Sequence, residues 1–203
     1  MGWSSLLTVQ EIHIFGAPNE KSAIEIVKQS QIAQGQKLAR IEPRVAQRIL
    51  GEIDWIESVK VNRNWLHRNV EIGITARRPI AALAGGYVDL AGEIFTIEEK
   101  PRVALPVLKV PTLSAQKFVI SLLVSLPTDI RTELRELRAL NQNSATLIVH
   151  NSRTGSPRTF TVIWGDESSM EFKVKVYKAL LALPENKKIS LLDLSAPHAP
   201  IVK

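Results

Sequence analysis

Histidines are the first residues of this chain to consider for acid–base or metal chemistry. There are four, none at metal-ligand spacing from another candidate ligand: His13, His67, His150 and His198. A histidine in a predicted strand or turn is more often a surface residue than a ligand. The chain has no cysteine, which excludes thiol chemistry, cysteine zinc sites and iron–sulfur clusters. We therefore expect no metal and no cofactor.

Carboxylates offer a second route to chemistry. Asp166 and Glu167 are adjacent, but they precede a predicted helix, where acidic side chains stabilise the helix dipole. Asp54 beside Trp55 hints at a sugar site, yet a helix-end acid and a half-buried aromatic explain the pair better. No GxSxG, HExxH or phosphate-binding loop occurs. Because no nucleophile, base and orienting group come together, the protein is not expected to be an enzyme.

Composition narrows the possible partners of the protein. The 203 residues are 45% hydrophobic and 23% charged, with a net charge of +6. The basic residues alternate with acidic ones and aromatics are only 5%, which argues against a nucleic-acid surface. No apolar run approaches the roughly 20 residues that a membrane-spanning helix needs.

The first part of the chain predicts a β-α-α-β-β order. Val9–Phe15 alternates as a strand, and 22–25 (Ser-Ala-Ile-Glu) is a capping box that opens a helix ending near Gly35. A second helix begins at Pro43. Strands 56–62 and 69–75 follow.

Beyond a hinge at 76–79, the pattern predicts a larger β-rich part. Segments 81–88 and 93–97 flank a turn in which Gly92 takes positive φ, and a helix runs from Ser114 to Pro127. Helix and strand both fit residues 131–140.

Strands 145–150 and 159–164 come next in the predicted order. A helix then opens at the capping box 168–171 and ends at Pro184, and the last strand is Ile189–Leu194. The fold class is α+β, with two helices packed on a mixed sheet in the second part.

Several phrases, in this order, resemble the FtsQ/DivIB family of bacterial cell-division proteins. They are Val9–Gly16, Asp54–Trp65, Arg77–Ala81, Val88–Phe95, Leu105-Pro106 and Ile189–Ser195. Ala76 stands where the family usually has a glutamate, which weakens any claim of a salt bridge there. The resemblance covers nearly the whole chain.

The resemblance implies a domain arrangement and a location. Residues 1–8 would be the end of a membrane helix or a leader remnant, residues 9–76 a POTRA domain, and residues 77–203 an FtsQ-like β domain. Trp3 to Val9 would be the exit of a single upstream membrane helix. The described region would then lie outside the cytoplasm and be recruited to the division septum.

The resemblance also implies a non-enzymatic divisome scaffold of septum formation that links early and late division proteins. Its partners would be FtsB/DivIC-like and FtsL-like proteins, with other divisome proteins bound through the POTRA domain. The FtsB-like partner adds a strand near the chain end in this family. That points to Leu191, Leu192, Asp193, Leu194, Ser195, Ala196, His198, Ala199, Ile201 and Val202.

The residues after Leu194 allow two interpretations, an edge-capping tail or part of a partner-binding edge. Pro197 and Pro200 remove backbone donors, so the tail could instead cap the edge against aggregation. The favoured interpretation is that the incoming strand pairs with Leu191–Ser195, with Ile201 and Val202 adding apolar contact.

Two other functions also stay open at this point. One is a POTRA-containing protein of export or outer-membrane assembly that binds client strands, and the other is a peptidoglycan-processing enzyme.

Overall fold

The computed structural model describes residues 7–151 and 157–203, which form two units that divide between Arg78 and Pro79. Of the segment predicted as a membrane-helix remnant, residues 1–6 lie outside the described residues. No helix in the described part is both long and apolar enough to cross a membrane.

The first unit has the predicted β-α-α-β-β order. Its elements are β1 (Glu11–Phe15), α1 (Glu20–Ser30), α2 (Pro43–Gly51), β2 (Ile56–Asn64) and β3 (Asn69–Ala76). β3 lies in the middle of the sheet, parallel to β1 and antiparallel to β2. Alternate residues of the strands, such as Val70 and Ile72, pack with Ile26 of α1 and Leu50 of α2.

The start of α1 differs from the predicted capping box. Asn19 is the N-cap, and its Oδ1 accepts a hydrogen bond from Ser22 N–H at 2.8 Å. Ser22 therefore lies inside the helix. The helix ends at Ser30 because Gln31 adopts a left-handed conformation with φ 56°, so Gly35 is not its stop.

Two residues of the family-like phrase 54–65 have structural roles. Trp55 packs against the core of the first unit. Arg63 Nη1 donates hydrogen bonds to the carbonyls of Leu38 and Ile41, at 3.2 and 2.9 Å, and so ties β2 to the segment before α2. Trp65, by contrast, is 44% exposed.

The second unit contains one sheet of nine strands. The strands are β4 (Ala81–Leu83), β5 (Gly86–Val88), β6 (Ile94–Phe95), β7 (Val107–Lys109), β8 (Leu134–Asn141), β9 (Ser144–Asn151), β10 (Arg158–Gly165), β11 (Leu191–Asp193) and β12 (Ile201–Val202). Their order is β12-β11-β10-β9-β8-β7-β4-β5-β6. The sheet is mixed, since β4–β7, β7–β8 and β10–β11 are parallel pairs.

Helices α3 (Leu113–Ser125), α4 (Thr128–Glu133) and α5 (Met170–Ala182) complete the second unit. Phe118, Leu122 and Leu123 of α3 and Tyr177 of α5 share one buried cluster with the strands. Two longer helices on a mixed sheet agree with the predicted α+β fold. Phe172, Val174 and Val176 alternate as in a strand, yet the segment is helical as predicted, because helical spacing lets α5 bury Lys173 and Tyr177 on one side.

Two glycines with positive φ form turns in the segment 81–97. Segment 81–88 was expected to be one strand, but Gly85 has φ 91° and turns the chain between β4 and β5. Gly92 has φ 84°, as predicted, and the N–H groups of Ala91 and Glu93 donate to Asp89 Oδ1 at 3.0 and 2.9 Å. Asp89 therefore has a structural role in the turn of the family-like phrase Val88–Phe95.

Two segments differ from the predicted secondary structure. Residues 131–140 divide into the end of α4 and strand β8. Strand β7 was not predicted, because Pro106 and Pro111 flank it closely and its three residues leave little alternation to detect.

Candidate partner-binding edge

The four histidines lie in separate local contacts. His13 Nε2 is 3.1 Å from Glu11, His67 contacts Asn64, His150 contacts Thr159, and His198 stacks on Phe172. Across residues 7–151 and 157–203, no group of three or more histidine, aspartate or glutamate side chains is arranged to hold a metal ion.

Strand β11 is not the last strand, which corrects the prediction for Ile189–Leu194. It pairs in parallel with β10 on one side and antiparallel with β12 on the other. Both of its edges are therefore occupied, so an incoming strand cannot pair with Leu191–Ser195 while β12 is in place. β12 escaped prediction because it is only two residues long and directly follows Pro200.

The outer edge of β12 presents a defined set of backbone groups. Leu191 and Lys203 exchange both N–H···O bonds, each 2.9 Å long, so Lys203 faces β11. Because the direction of these groups alternates along a strand, Ile201 also faces β11 and Val202 faces outward. The sheet order of the described residues ends at β12, which leaves the Val202 N–H and carbonyl on its open side.

Pro200 removes one backbone hydrogen-bond donor from the outer edge of β12. By the same alternation Pro200 falls on the outer side, where its ring nitrogen supplies no donor. A strand added to β12 would thus gain the Val202 pair and the Pro200 carbonyl. Pro200 limits the length of the added ladder without blocking it.

The side chains of this edge divide between two faces. Val202 packs against the core cluster, and Leu192 and Leu194 are completely buried. Asp193 is paired with Ile201, which is 51% exposed.

The open face continues across the neighbouring strand. Thr161 of β10 is paired with Leu191, and Ile163 is paired with Asp193. Leu191 and Ile201 therefore belong to a surface that combines partly exposed apolar and polar side chains.

The segment between β11 and β12 is held by several local contacts. Ser195 N–H and Oγ both donate to Asp193 Oδ1, at 2.9 and 2.7 Å. Ala199 N–H closes a turn onto the Ala196 carbonyl at 2.9 Å, and the His198 ring stacks on Phe172 with 4.6 Å between centroids. These contacts bring the chain back so that β12 pairs with β11.

A buried lysine lies below this segment. Lys173 of α5 is completely buried, and its Nζ donates to the Asp166 carbonyl oxygen at 2.9 Å and to Oδ1 at 3.0 Å. Hydrogen bonding from Ser168, then from Lys173, lowers the pKa of Asp166 to about 2. Asp166 thus holds the Ser168 turn and the lysine, and the predicted capping box at 168–171 does not form because Ser169, the N-cap, makes no side-chain cap bond.

Gly165 lets the end of β10 lie close to Ser195 and to the Lys173 side chain. Its φ is 76°, and a Cβ atom there would lie 3.0 Å from Ser195 Cα and 3.6 Å from Lys173 Nζ. A larger residue would push the segment leading to β12 away from β10.

The predicted site residues therefore fall into three groups. Leu192 and Leu194 are core residues, and Ser195, Ala196, His198 and Ala199 form the exposed connection. Leu191, Asp193, Ile201 and Val202 form the paired edge. Sequence reasoning assigned Asp166 to the helix dipole and missed its pairing with Lys173, for which a lysine on the apolar side of a predicted helix was the available signal. It also missed the contact between Phe172 and His198.

Two family models match the chain. The one described as the POTRA domain, FtsQ-type, matches residues 7–77, and the one described as cell division protein FtsQ/DivIB, C-terminal, matches residues 81–195. A comparison with curated proteins found no match. The first range falls within the first unit, and the second falls within the second unit but ends at Ser195, so β12 lies beyond the matched residues.

Proposed function

The chain belongs to the FtsQ/DivIB family, and from that premise we propose that the outer edge of β12 receives a strand from an FtsB/DivIC-like partner. Family membership makes it a division protein of the scaffold type, from a non-enzymatic family that acts at the division septum. Neither matching family model concerns export or outer-membrane assembly, so that alternative loses its support.

The observation that carries the proposal is the side of β12 on which no other described strand pairs. Val202 directs its N–H and carbonyl away from β11, while its side chain packs inward. Backbone pairing would supply affinity, and Leu191 and Ile201 on the open face would add selective apolar contact. The strand expected to receive the partner shifts from β11 to β12, and the prolines become a limit on ladder length.

The remaining roles are proposed at the level of the family. An FtsL-like protein would join through the FtsB/DivIC-like partner, and the first unit would bind other divisome proteins, linking early and late steps of septum formation. A single membrane helix upstream of the described residues would anchor the protein, with both units outside the cytoplasm.

Capture of a purified FtsB/DivIC-like ectodomain tests the proposed edge. Val202→Pro removes the outward N–H and should abolish capture. Ile94→Pro is the matched control, because β6 is the opposite edge strand of the described sheet. Ile94 also faces outward, since the Glu93 carbonyl next to it accepts from the N–H of Asp89, the residue after β5. Circular dichroism melts should show that both variants fold.

A second pair of variants tests the same edge without a substitution at Val202, whose replacement could impair folding. Ile201→Glu places a charge on the open face and should weaken capture, whereas Leu140→Glu, at an 82% exposed leucine, should not. Equal capture by wild type, Val202→Pro and Ile201→Glu would show that the partner binds elsewhere. A proline at Leu194, after β11, would not be a clean test of partner binding. The Leu194 N–H donates to the Ile163 carbonyl at 2.8 Å and Leu194 is completely buried, so Leu194→Pro would disturb the fold itself.

A further inference from the structure

The turn between β2 and β3 exposes an unusual combination of side chains. Trp65 is 44% exposed and Leu66 85% exposed, and both lie in the four-residue turn 65–68. His67 and Arg68 complete the turn. An exposed tryptophan and leucine beside cationic groups are typical of a surface that meets a non-aqueous phase.

This turn is held in shape by its own contacts. His67 N–H donates to Asn64 Oδ1 at 3.1 Å, and the Arg63 guanidinium lies over the Trp65 ring, 5.2 Å from its centroid. Arg63 is in turn anchored on the Leu38 and Ile41 carbonyls. Leu66 therefore projects from a fixed support rather than folding back onto the unit.

The same end of the first unit carries another apolar side chain and another cation. Gln10 N–H donates to the Arg68 carbonyl at 2.7 Å, which places the chain before β1 next to the turn. Leu38 N–H donates to the Leu7 carbonyl at 3.0 Å, and Leu7 is 41% exposed. Arg40 is exposed and lies between Leu38 and Ile41, the residues that hold Arg63.

We propose that this end of the first unit, which we call the basic tip (Leu7, Arg40, Trp65, Leu66 and Arg68), binds the surface of a bilayer that contains anionic lipid. Leucine and tryptophan would enter the interfacial region, and the arginines would contact anionic headgroups. The acids in the segments that form the tip are Glu11, which is opposite Asn69 and lies 3.1 Å from His13 Nε2, and Glu42, which follows Ile41. Arg40, Arg44, Arg63 and Arg68 outnumber these two acids. The charge of the tip therefore favours an anionic surface.

A bilayer fits this tip better than a protein groove does. Trp65 and Leu66 are exposed at the end of a hairpin and are flanked by arginines, which matches an apolar layer beneath a charged one. The inference goes beyond the proposed function, because it concerns the first unit and needs neither the β12 edge nor a partner.

Vesicle sedimentation of the whole chain tests the proposal. Binding is expected to vesicles of equal phosphatidylcholine and phosphatidylglycerol, and to be much weaker with phosphatidylcholine alone or at high salt. Leu66→Glu should reduce partitioning by roughly tenfold to a hundredfold, the effect of losing one buried apolar side chain. Leu140→Glu is the matched control, since Leu140 is 82% exposed beside the β8–β9 turn, which offers Asn141, Gln142 and Asn143 rather than cations.

The charge and the depth of insertion are tested separately. Arg68→Gln should weaken binding to the anionic vesicles only, and Arg102→Gln, at an exposed arginine of the second unit, should not. Lipids brominated on their chains should quench tryptophan fluorescence in the wild type. With Trp3 replaced by Phe throughout, that quench should disappear in Trp65→Phe and persist in Trp55→Phe.

Three results would overturn the proposal. They are equal binding by Leu66→Glu and Leu140→Glu, binding that ignores anionic lipid, and a quench that persists in Trp65→Phe. If Leu66→Glu instead weakened capture of a protein partner with vesicle binding unchanged, the tip would be a protein-binding surface. Loss of capture by Val202→Pro has no bearing on these measurements, so the two proposals fail independently.

Discussion

Removing the carboxylate of Asp166 should destabilise the second unit more than removing the charge of Lys173. In Asp166→Asn the lysine keeps its bond to the residue-166 carbonyl at 2.9 Å but loses the anion at 3.0 Å, so a fully buried ammonium lacks its counter-charge. In Lys173→Met an apolar side chain of similar length fills the same space, and Asp166, whose side chain is 51% exposed, remains solvated.

The magnitude follows from the pKa and from the exposure. A pKa of about 2 instead of 3.8 corresponds to about 2.4 kcal/mol of stabilisation before solvent screening. Because half of the Asp166 side chain is exposed, we expect about 1–2 kcal/mol for Asp166→Asn. Lys173→Met should cost about 1 kcal/mol or less, since replacing a buried ion by a packed apolar group is often close to neutral.

The sign of the pH dependence is fixed by the lowered pKa. The Asp166 contribution is fully present above the pKa of an unfolded aspartic acid, about 3.9, and is lost as the pH falls through about 2. The difference between wild type and Asp166→Asn should therefore be constant from pH 7 to about 5 and shrink between about pH 4 and 2.

Urea unfolding followed by circular dichroism measures these differences. Asp129→Asn is a matched control. Asp129 Oδ2 is 2.8 Å from Nζ of Lys178, which lies on α5 like Lys173, but the Lys178 side chain is 51% exposed. This substitution should cost about 0–1 kcal/mol, as exposed pairs do. A larger loss for Lys173→Met than for Asp166→Asn, or no loss for Asp166→Asn, would refute the reasoning.

Two further predictions concern the cores of the two units. Leu122→Ala should lower the free energy of unfolding of the second unit by about 2–5 kcal/mol, because Leu122 is completely buried; urea melts followed at Trp164, also completely buried, measure it. Arg63→Met should destabilise the first unit by about 1–3 kcal/mol through loss of two charged hydrogen bonds, seen as a shift in hydrogen exchange at Ile41 and Leu38. Because the chain divides into two units, each with its own core, we expect each variant to shift a separate transition, and a shift of one common transition would contradict this.

Periodicity predicted the long elements because their pattern extends over enough residues to be distinctive. Leu122 and its neighbours on α3 repeat at helical spacing, and the helix forms at 113–125. β9 and β10 alternate over eight residues each. The family-like phrase around Asp89 also has a local cause, because a single carboxylate oxygen accepts from two N–H groups of the turn.

What escaped prediction depends on contacts that are distant in sequence. Strands β7 and β12 have three and two residues, and each exists because a neighbouring strand completes its hydrogen bonds. Capping boxes at 22–25 and 168–171 were outcompeted by Asn19 and by the Asp166–Ser168 turn. The location of the partner edge changed for the same reason, since no pattern within Ile189–Leu194 indicates that a later strand covers it.

The nine-stranded sheet has a narrow seam between β4 and β7. Their pairing consists of one residue pair, Ala82 with Val107, together with the bond from Ala82 N–H to the Pro106 carbonyl at 2.9 Å. Elsewhere β8, β9 and β10 share long ladders. In terms of cooperativity we expect the sheet to behave as two foldons. The β4–β5–β6 meander should open at a lower free energy than β8, β9 and β10, so its amides should exchange with solvent while those of β9 and β10 remain protected.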